Sequence, residues 1–231
     1  MTTFGVSAAL RYRRPELNGV YIPQEDSHLL VETMERTGLA RGSRVLDLCT
    51  GSGVLAIAAA EFGAESVMAF DICPQAVRCC RDNTRAAGVD VTIRQGSWEG
   101  ALCCAPFGLV VANPPYVPSP RNGGPIPCAG GPEWSWNGGA DGRMVLDPLC
   151  RSAARLLRKG GSMLLVQSAL AGVGNSMAAL QESGLSAEIA AVRSIPFGPV
   201  LSAHAGWLES TGRVAHGCRV EQLLVIKADK P

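Results

Sequence analysis

The residues best placed to do chemistry without a metal or a strong base are Asn113, Pro114, Pro115 and Tyr116, inside FGLVVANPPYVPSP at 107–120. A run of apolar, β-branched residues ends there in an amide, two prolines and an aromatic ring. Neither proline has the N–H that a sheet ladder needs, so a strand must stop. Asn113 offers a side-chain carbonyl and Pro114 a main-chain carbonyl, two acceptors able to hold one substrate NH₂ group. The nitrogen of an amide or aromatic amine is a poor nucleophile because its lone pair is delocalised. Held by both acceptors, it can turn that lone pair toward an electrophile for in-line attack. The prolines hold the backbone at low entropic cost, and Tyr116 adds a flat face for a planar group. Such catalysis is positioning plus electrostatics, with the proton leaving late to solvent.

A second constellation lies upstream. VLDLCTGSGVLAIA places Thr50, Gly51 and Gly53 at a strand-to-helix turn, with Asp47 just before it. Glycines here let the backbone approach a ligand and leave helix N–H groups free. Asp71, followed by Ile72, closes the next strand, where an acid can accept both hydroxyls of a ribose. The turn lacks the Gly-x-Gly-x-x-Gly spacing of a dinucleotide site and the lysine of a phosphate loop. Asp47 would repel a pyrophosphate and attract an ammonium. A ligand with a ribose and a cationic group is therefore expected, and S-adenosylmethionine has both. The plainer reading is a structural turn plus a surface acid. In QGSWEG, Trp98 packs either on an adenine or in the core, and Ser97 bonds the base edge in the first case.

These groups need a frame. Strand-like runs at 43–49, 66–72, 91–95, 107–113, 162–168 and 220–228 alternate with helix-like runs, among them PQAVRCCRDNTRAAG, opened by proline and closed by glycine. The helix ahead of the fifth strand contains Pro148, which should offset its start. This alternation predicts an α/β fold, a doubly wound and mostly parallel sheet covered on both faces. From 118 to 142 the chain is rich in Gly, Pro and Asn, and carries Trp134 and Trp136. That reads as a long, partly ordered functional loop.

The totals exclude some classes. With 47% hydrophobic and 18% charged residues a sizeable core is possible, and a formal charge of +1 points to neither nucleic acid nor membrane. A patch using Arg11, Arg13 and Arg14 reads as a solvated N-terminal segment. The nine cysteines form no Cys-x-x-Cys pair, so free thiols in a reducing cytoplasm are expected and no metal site. No stretch is long and apolar enough for a membrane span.

The Asn-Pro-Pro-Tyr quartet and the glycine turn together resemble a class I S-adenosylmethionine-dependent methyltransferase. VYIPQEDSHLLVE (20–32), VVANPPY, EWSWNGGADGRMVLD (133–147) and VEQLLVIKA resemble blocks of the HemK family of protein glutamine methyltransferases. The likeness is to its short branch, which lacks an N-terminal helical domain. It implies one methyltransferase domain over 1–231: a segment and helix at 1–40 covering the cofactor site, then a seven-stranded Rossmann-like core at 41–231. It implies that Tyr21, Asp26 and Ser27 close over the cofactor, the last two near its methionine end. Asp47 and Gly51 would line the methionine part and Asp71 the ribose. Asn113 and Pro114, beside Pro115, would hold the substrate amide, with Tyr116 flanking it. His28 is expected as an ordinary helix residue. The implied acceptor is a glutamine of a protein such as a translation release factor, and a small activating partner accompanies eukaryotic members. Cys49 departs from the first glycine of the family turn, and Ser97 replaces an acid. The stretches 121–134 and 192–218 are longer than expected and lie where a protein would dock. RNA or DNA amine methylation, a small-molecule amine substrate and a non-catalytic cofactor-binding subunit remain the alternatives.

Overall fold

The computed structural model describes residues 19–104, 106–121, 126 and 131–231. The Arg11, Arg13 and Arg14 segment, Cys128 and most of 121–131 lie outside them. The elements follow as α1 (Glu25–Thr37), β1 (Arg44–Leu48), α2 (Val54–Glu61), β2 (Ser66–Asp71), α3 (Pro74–Ala87), β3 (Thr92–Gln95) and α4 (Trp98–Leu102). Then come β4 (Phe107–Ala112), α5 (Leu146–Leu156), β5 (Leu157–Ser168), α6 (Val173–Glu182), β6 (Ser186–Pro196), α7 (Pro199–Ala203), α8 (Ala205–Ser210) and β7 (Val220–Asp229).

The seven strands form one sheet in the order β3-β2-β1-β4-β5-β7-β6, parallel except for β7, which runs antiparallel to both neighbours. This is the predicted doubly wound architecture, and β4 lies beside β1, in register from Val45 against Leu109. The order reverses between β1 and β4, so the crevice at their carboxyl ends is the place for a ligand. Strand β4 is buried throughout and β1 nearly so, as central strands covered on both faces must be. Phe107, Leu46, Leu109 and Ile57 are among the largest fully buried side chains. Each contributes about 1.5–3 kcal/mol by leaving water.

Local signals set the helix ends. Pro74 opens α3 and Gly88, in the left-handed region, closes it by donating to Thr84 and Arg85. Pro148 falls within the first turn of α5, where its missing N–H has no helical partner to lose. The seventh strand that the resemblance implies is β6, absent from the six strand-like runs because SAEIAAVRSIP is half-exposed along its length and shows no strong apolar alternation. The long stretch 192–218 begins inside β6 and continues as α7 and α8. Within 118–142 the described residues include a short 3₁₀ turn, Glu133–Ser135, and a bridge between Val117 and Asn137.

Candidate active site

The turn after β1 is built from backbone in unusual conformations. Cys49, Gly51 and Gly53 all have positive φ, at 59°, 54° and 88°. Cys49 is the one described non-glycine residue in that region, so a side chain has been placed where the backbone asks for glycine. Gly53 is required for a different reason: a Cβ there would stand 2.7 Å from the Cys80 sulfur on α3. It seats the turn on the helix behind and does not face the cleft.

Asp47 also lies behind the turn. It is fully buried, and its Oδ2 accepts from the Thr50 hydroxyl at 2.5 Å and from the Ala56 amide at 3.0 Å. Its other oxygen has no partner, and burial pushes its carboxyl up to about 7. The expectation that Asp47 lines the ligand site directly is thus corrected: it supports the turn from beneath.

In front of the turn opens a cleft of about 980 Å³, its open mouth included. Its walls bring together Tyr21, Ser27, Thr50, Gly51, Asp71 and Asn113, which the sequence places far apart. Ile72, Ser97 and Trp98 of the expected cofactor residues are also there, as is Pro115, expected beside the substrate amide; Asp26, Asp47 and Gly53 are not in this wall. Asp71 accepts from the Gly51 amide through Oδ2 and from the Cys73 amide through Oδ1, both at 2.9 Å. Burial raises its carboxyl above the usual range against the pull of those amides. Each oxygen keeps a second lone pair for a hydroxyl donor. Ile72 is 62% exposed at the rim, a large apolar surface that a flat ring would cover. Ser97 caps α4 by accepting from the Glu99 amide at 3.3 Å. Trp98 is half-buried, packs on the core and also lines the cleft.

At the end of β4, Asn113 borders this cleft and also a smaller chamber of about 240 Å³. Pro114, Pro115, Tyr116, Asp26 and Trp136 line that chamber. The Asn113 amide nitrogen donates to the Ser27 hydroxyl at 3.2 Å, and its carbonyl oxygen has no hydrogen-bond partner among the described residues. Ser27 donates to Asp26 Oδ1, through its amide at 2.6 Å and its hydroxyl at 3.3 Å. Tyr116 and Tyr21 both donate to Asp26 Oδ2, at 3.0 and 3.1 Å. Burial and then the Asp26 charge raise both phenols well above their ordinary range, so they remain donors. Asp26 therefore faces the small chamber and not the cofactor side, a correction with a simple cause. Successive helical residues point about 100° apart, so Ser27 takes the cleft and Asp26 the chamber. His28 is a half-buried residue of α1.

The segment WSWNGGADGR proves to be a buttress, a role its composition did not reveal. A Cβ on Gly142 would lie 2.3 Å from the Tyr116 carbonyl oxygen, so only glycine lets this strand of loop pack against the quartet. Arg143, nearly buried, bonds the Asp147 carboxylate, the carbonyls of Ala171 and Gly172, and the Ser176 hydroxyl. It clamps the loop to the start of α6. Glu221 of β7 is a further acid near the quartet, half-buried with one oxygen fully enclosed, that sequence reading passed over in an ordinary strand pattern. Among the described residues no cluster of His, Cys, Asp or Glu has the makings of a metal site, and no helix is long and apolar enough to cross a membrane.

Comparison with known proteins gives a consistent picture. Residues 26–114 match the family model for ribosomal protein L11 methyltransferase (PrmA). A Methanocaldococcus jannaschii protein bearing the name protein N5-glutamine methyltransferase is 30% identical over 179 residues, 77% of this chain and 87% of its own length. A release factor glutamine methyltransferase of Mycolicibacterium smegmatis is 34% identical over 62% of this chain, and the match covers 52% of that protein. The chain thus spans about half the length of that bacterial relative. Among solved structures, the E. cuniculi Mtq2–Trm112 complex, responsible for methylation of the eRF1 termination factor, superposes with a TM-score of 0.63 at 24% identity, over 92% of this chain and 99% of the other. The T. thermophilus 16S rRNA methyltransferase RsmC gives 0.59 at 20% identity, over 91% of this chain and 44% of that one. Both share the fold.

Proposed function

The chain belongs to the protein glutamine methyltransferase family, and on that premise we propose that it transfers a methyl group from S-adenosylmethionine to the side-chain amide nitrogen of a protein glutamine. The observation that carries this reading is Asn113. Its amide nitrogen is tied to Ser27, so its carbonyl is the free end, and it stands where the large cleft and the small chamber meet.

The cleft suits the cofactor by its own features. Asp71 has lone pairs left for ribose hydroxyls, Ile72 and Trp98 offer apolar faces for the adenine, and Ser27 and the Gly51 turn border the remainder. Bound there, S-adenosylmethionine would supply an electrophilic methyl group. The work of the chain is then to orient the acceptor. Asn113 Oδ1 and the Pro114 carbonyl accept the two N–H bonds of the glutamine amide, turning its lone pair toward the cleft. Tyr116 and the prolines bound the chamber, and the Asp26 network holds Asn113 in this orientation. The proton lost from nitrogen passes to solvent after the new bond forms, so no strong base is needed.

We take the acceptor to be a translation release factor, in agreement with the names of several relatives, and the site of action to be the cytoplasm. A small partner that completes or activates the enzyme belongs to the same proposal, supported by the Mtq2–Trm112 assembly. The part of the N-terminal segment at 19–40 is proposed to cover the cofactor, since Val20, Tyr21, Pro23 and Ser27 form part of the cleft wall; residues 1–18 of that expected segment lie outside the described residues.

Calorimetric titration with S-adenosylmethionine and its demethylated product, followed by labelled-methyl transfer to release factors, tests the reading. Micromolar binding and label that survives at glutamine are expected. Label on RNA instead, with release factors unlabelled, would replace it with the exocyclic-amine reading.

A further inference from the structure

Beyond the acceptor chamber the sheet supplies a group that the chemistry above leaves idle. Strand β7 runs antiparallel to β5, with Leu223 opposite Ser168. Its first residues therefore reach the carboxyl edge that also carries Asn113, and Glu221 lies there, paired with Ile195 of β6. A cavity of about 860 Å³, open mouth included, has Glu221 in its wall. It shares Tyr21, Asp26, Tyr116 and Trp136 with the small chamber. The Glu221 Oε2 atom is buried and has no hydrogen-bond partner among the described residues.

The charged and titratable groups around it are few. Asp26 of α1 and the phenols of Tyr21 and Tyr116 share the cavity wall with Glu221, and Ser168 of β5 lies close enough to pull its carboxyl down. Glu25 shares the cavity and is paired with Arg193 of β6. Among the described residues no lysine or arginine lines this cavity; Val200, Leu201 and Leu223 form much of the rest. Burial, with Asp26 adding to it and Ser168 opposing, pushes the Glu221 carboxyl up to about 7. Ionised, it becomes a second negative charge beside Asp26 in an apolar wall, competing for the phenol protons that Asp26 now receives. Neutral, it leaves both tyrosines on Asp26.

Building on the function proposed above, we infer that Glu221 is a positioning residue: protonated, it lets Asp26 hold Tyr116 and the Ser27–Asn113 pair in place, and its ionisation loosens that hold. The effect belongs to acceptor handling, because Glu221 does not border the cofactor cleft.

The test compares wild type with the isosteric Glu221→Gln, which keeps the shape and cannot ionise. A carboxyl that titrates higher in the folded chain than in the unfolded one destabilises the fold as pH rises between the two values. The Tm of Glu221→Gln should therefore gain on wild type from about pH 4.3 to about 7 and level off above. With a recombinant release factor as acceptor, wild-type kcat/KM should fall by up to about tenfold per pH unit above neutrality, while Glu221→Gln keeps a flatter profile. Cofactor Kd should follow one pH course in both. An alkaline limb of the same size in Glu221→Gln, or a Tm difference that does not vary with pH, overturns the inference. Absence of transfer to any glutamine acceptor at any pH, with the Tm difference behaving as expected, overturns the glutamine reading and the positioning role that rests on it.

Discussion

The two halves of the site are made in different ways. The turn after β1 is a local object set by backbone conformation, and its bonds join residues close in the chain or on neighbouring strands: the Thr50 hydroxyl to the Asp47 carboxylate, the Gly53 amide to the Thr50 carbonyl, the Gly51 amide to the Asp71 carboxylate. The acceptor chamber is a side-chain object. Asn113 reaches Ser27 and Tyr116 reaches Asp26 across 86 and 90 residues of sequence. A backbone site tolerates exchange of single side chains as long as the conformation survives. A side-chain network does not, because each group orients the next. Cys49 shows the tolerance in practice: a non-glycine residue occupies a left-handed position and the turn still closes, with Thr50 bonded to the Phe70 carbonyl.

That contrast has consequences that measurement can break. The largest is expected at Asn113→Ala, which should lower methyl transfer by roughly 10²–10³-fold while cofactor Kd moves only a few-fold. Loss of cofactor binding in that variant would show that the two halves are one structural unit. Asp26→Asn comes next. It removes the charge that receives both tyrosine hydroxyls, and misplacement of the acceptor should cost about 100-fold in kcat with cofactor affinity retained. An equal loss in both quantities would place Asp26 on the cofactor side after all.

On the other half, Asp71→Ala should weaken S-adenosylmethionine binding by roughly 1–3 kcal/mol, read by calorimetry, with acceptor KM little changed. Unaltered affinity would remove the ribose assignment. The smallest effect sharpens the picture of the turn itself. Cys49→Gly relieves a left-handed strain of about 1–2 kcal/mol and returns about 0.5–1 kcal/mol as backbone entropy. A net gain below about 1 kcal/mol should appear in urea unfolding. A clear destabilisation would mean that the cysteine side chain contributes packing that outweighs its conformation.

Much of this was legible in the residue order, for identifiable reasons. The quartet announces itself because two prolines end a strand in any context, and the glycine turn because positive φ narrows the choice of residue. The strand at Ser186–Pro196 was missed since an edge strand has one free side and little need for apolar alternation. Glu221 was missed because a charged residue at a strand's start normally faces solvent, and nothing nearby in sequence says otherwise. The roles given to Asp26 and Asp47 came from the family resemblance, and both shifted once the direction of each side chain was known.

What the sequence determined by itself was the kind of site: an amide with two rigid carbonyl-bearing neighbours, an acid closing the next strand, and a parallel sheet whose carboxyl edge would hold them. These follow from local stereochemistry and from periodic burial, which neighbours in the chain specify. Only the tertiary structure decided which way Asn113 points, that Asp47 works from beneath the turn, and that Asp26, Tyr21, Tyr116 and Glu221 share one buried space. Those facts depend on side chains meeting across the fold, where burial strengthens each charge and hydrogen bond, and no short stretch of sequence records such a meeting.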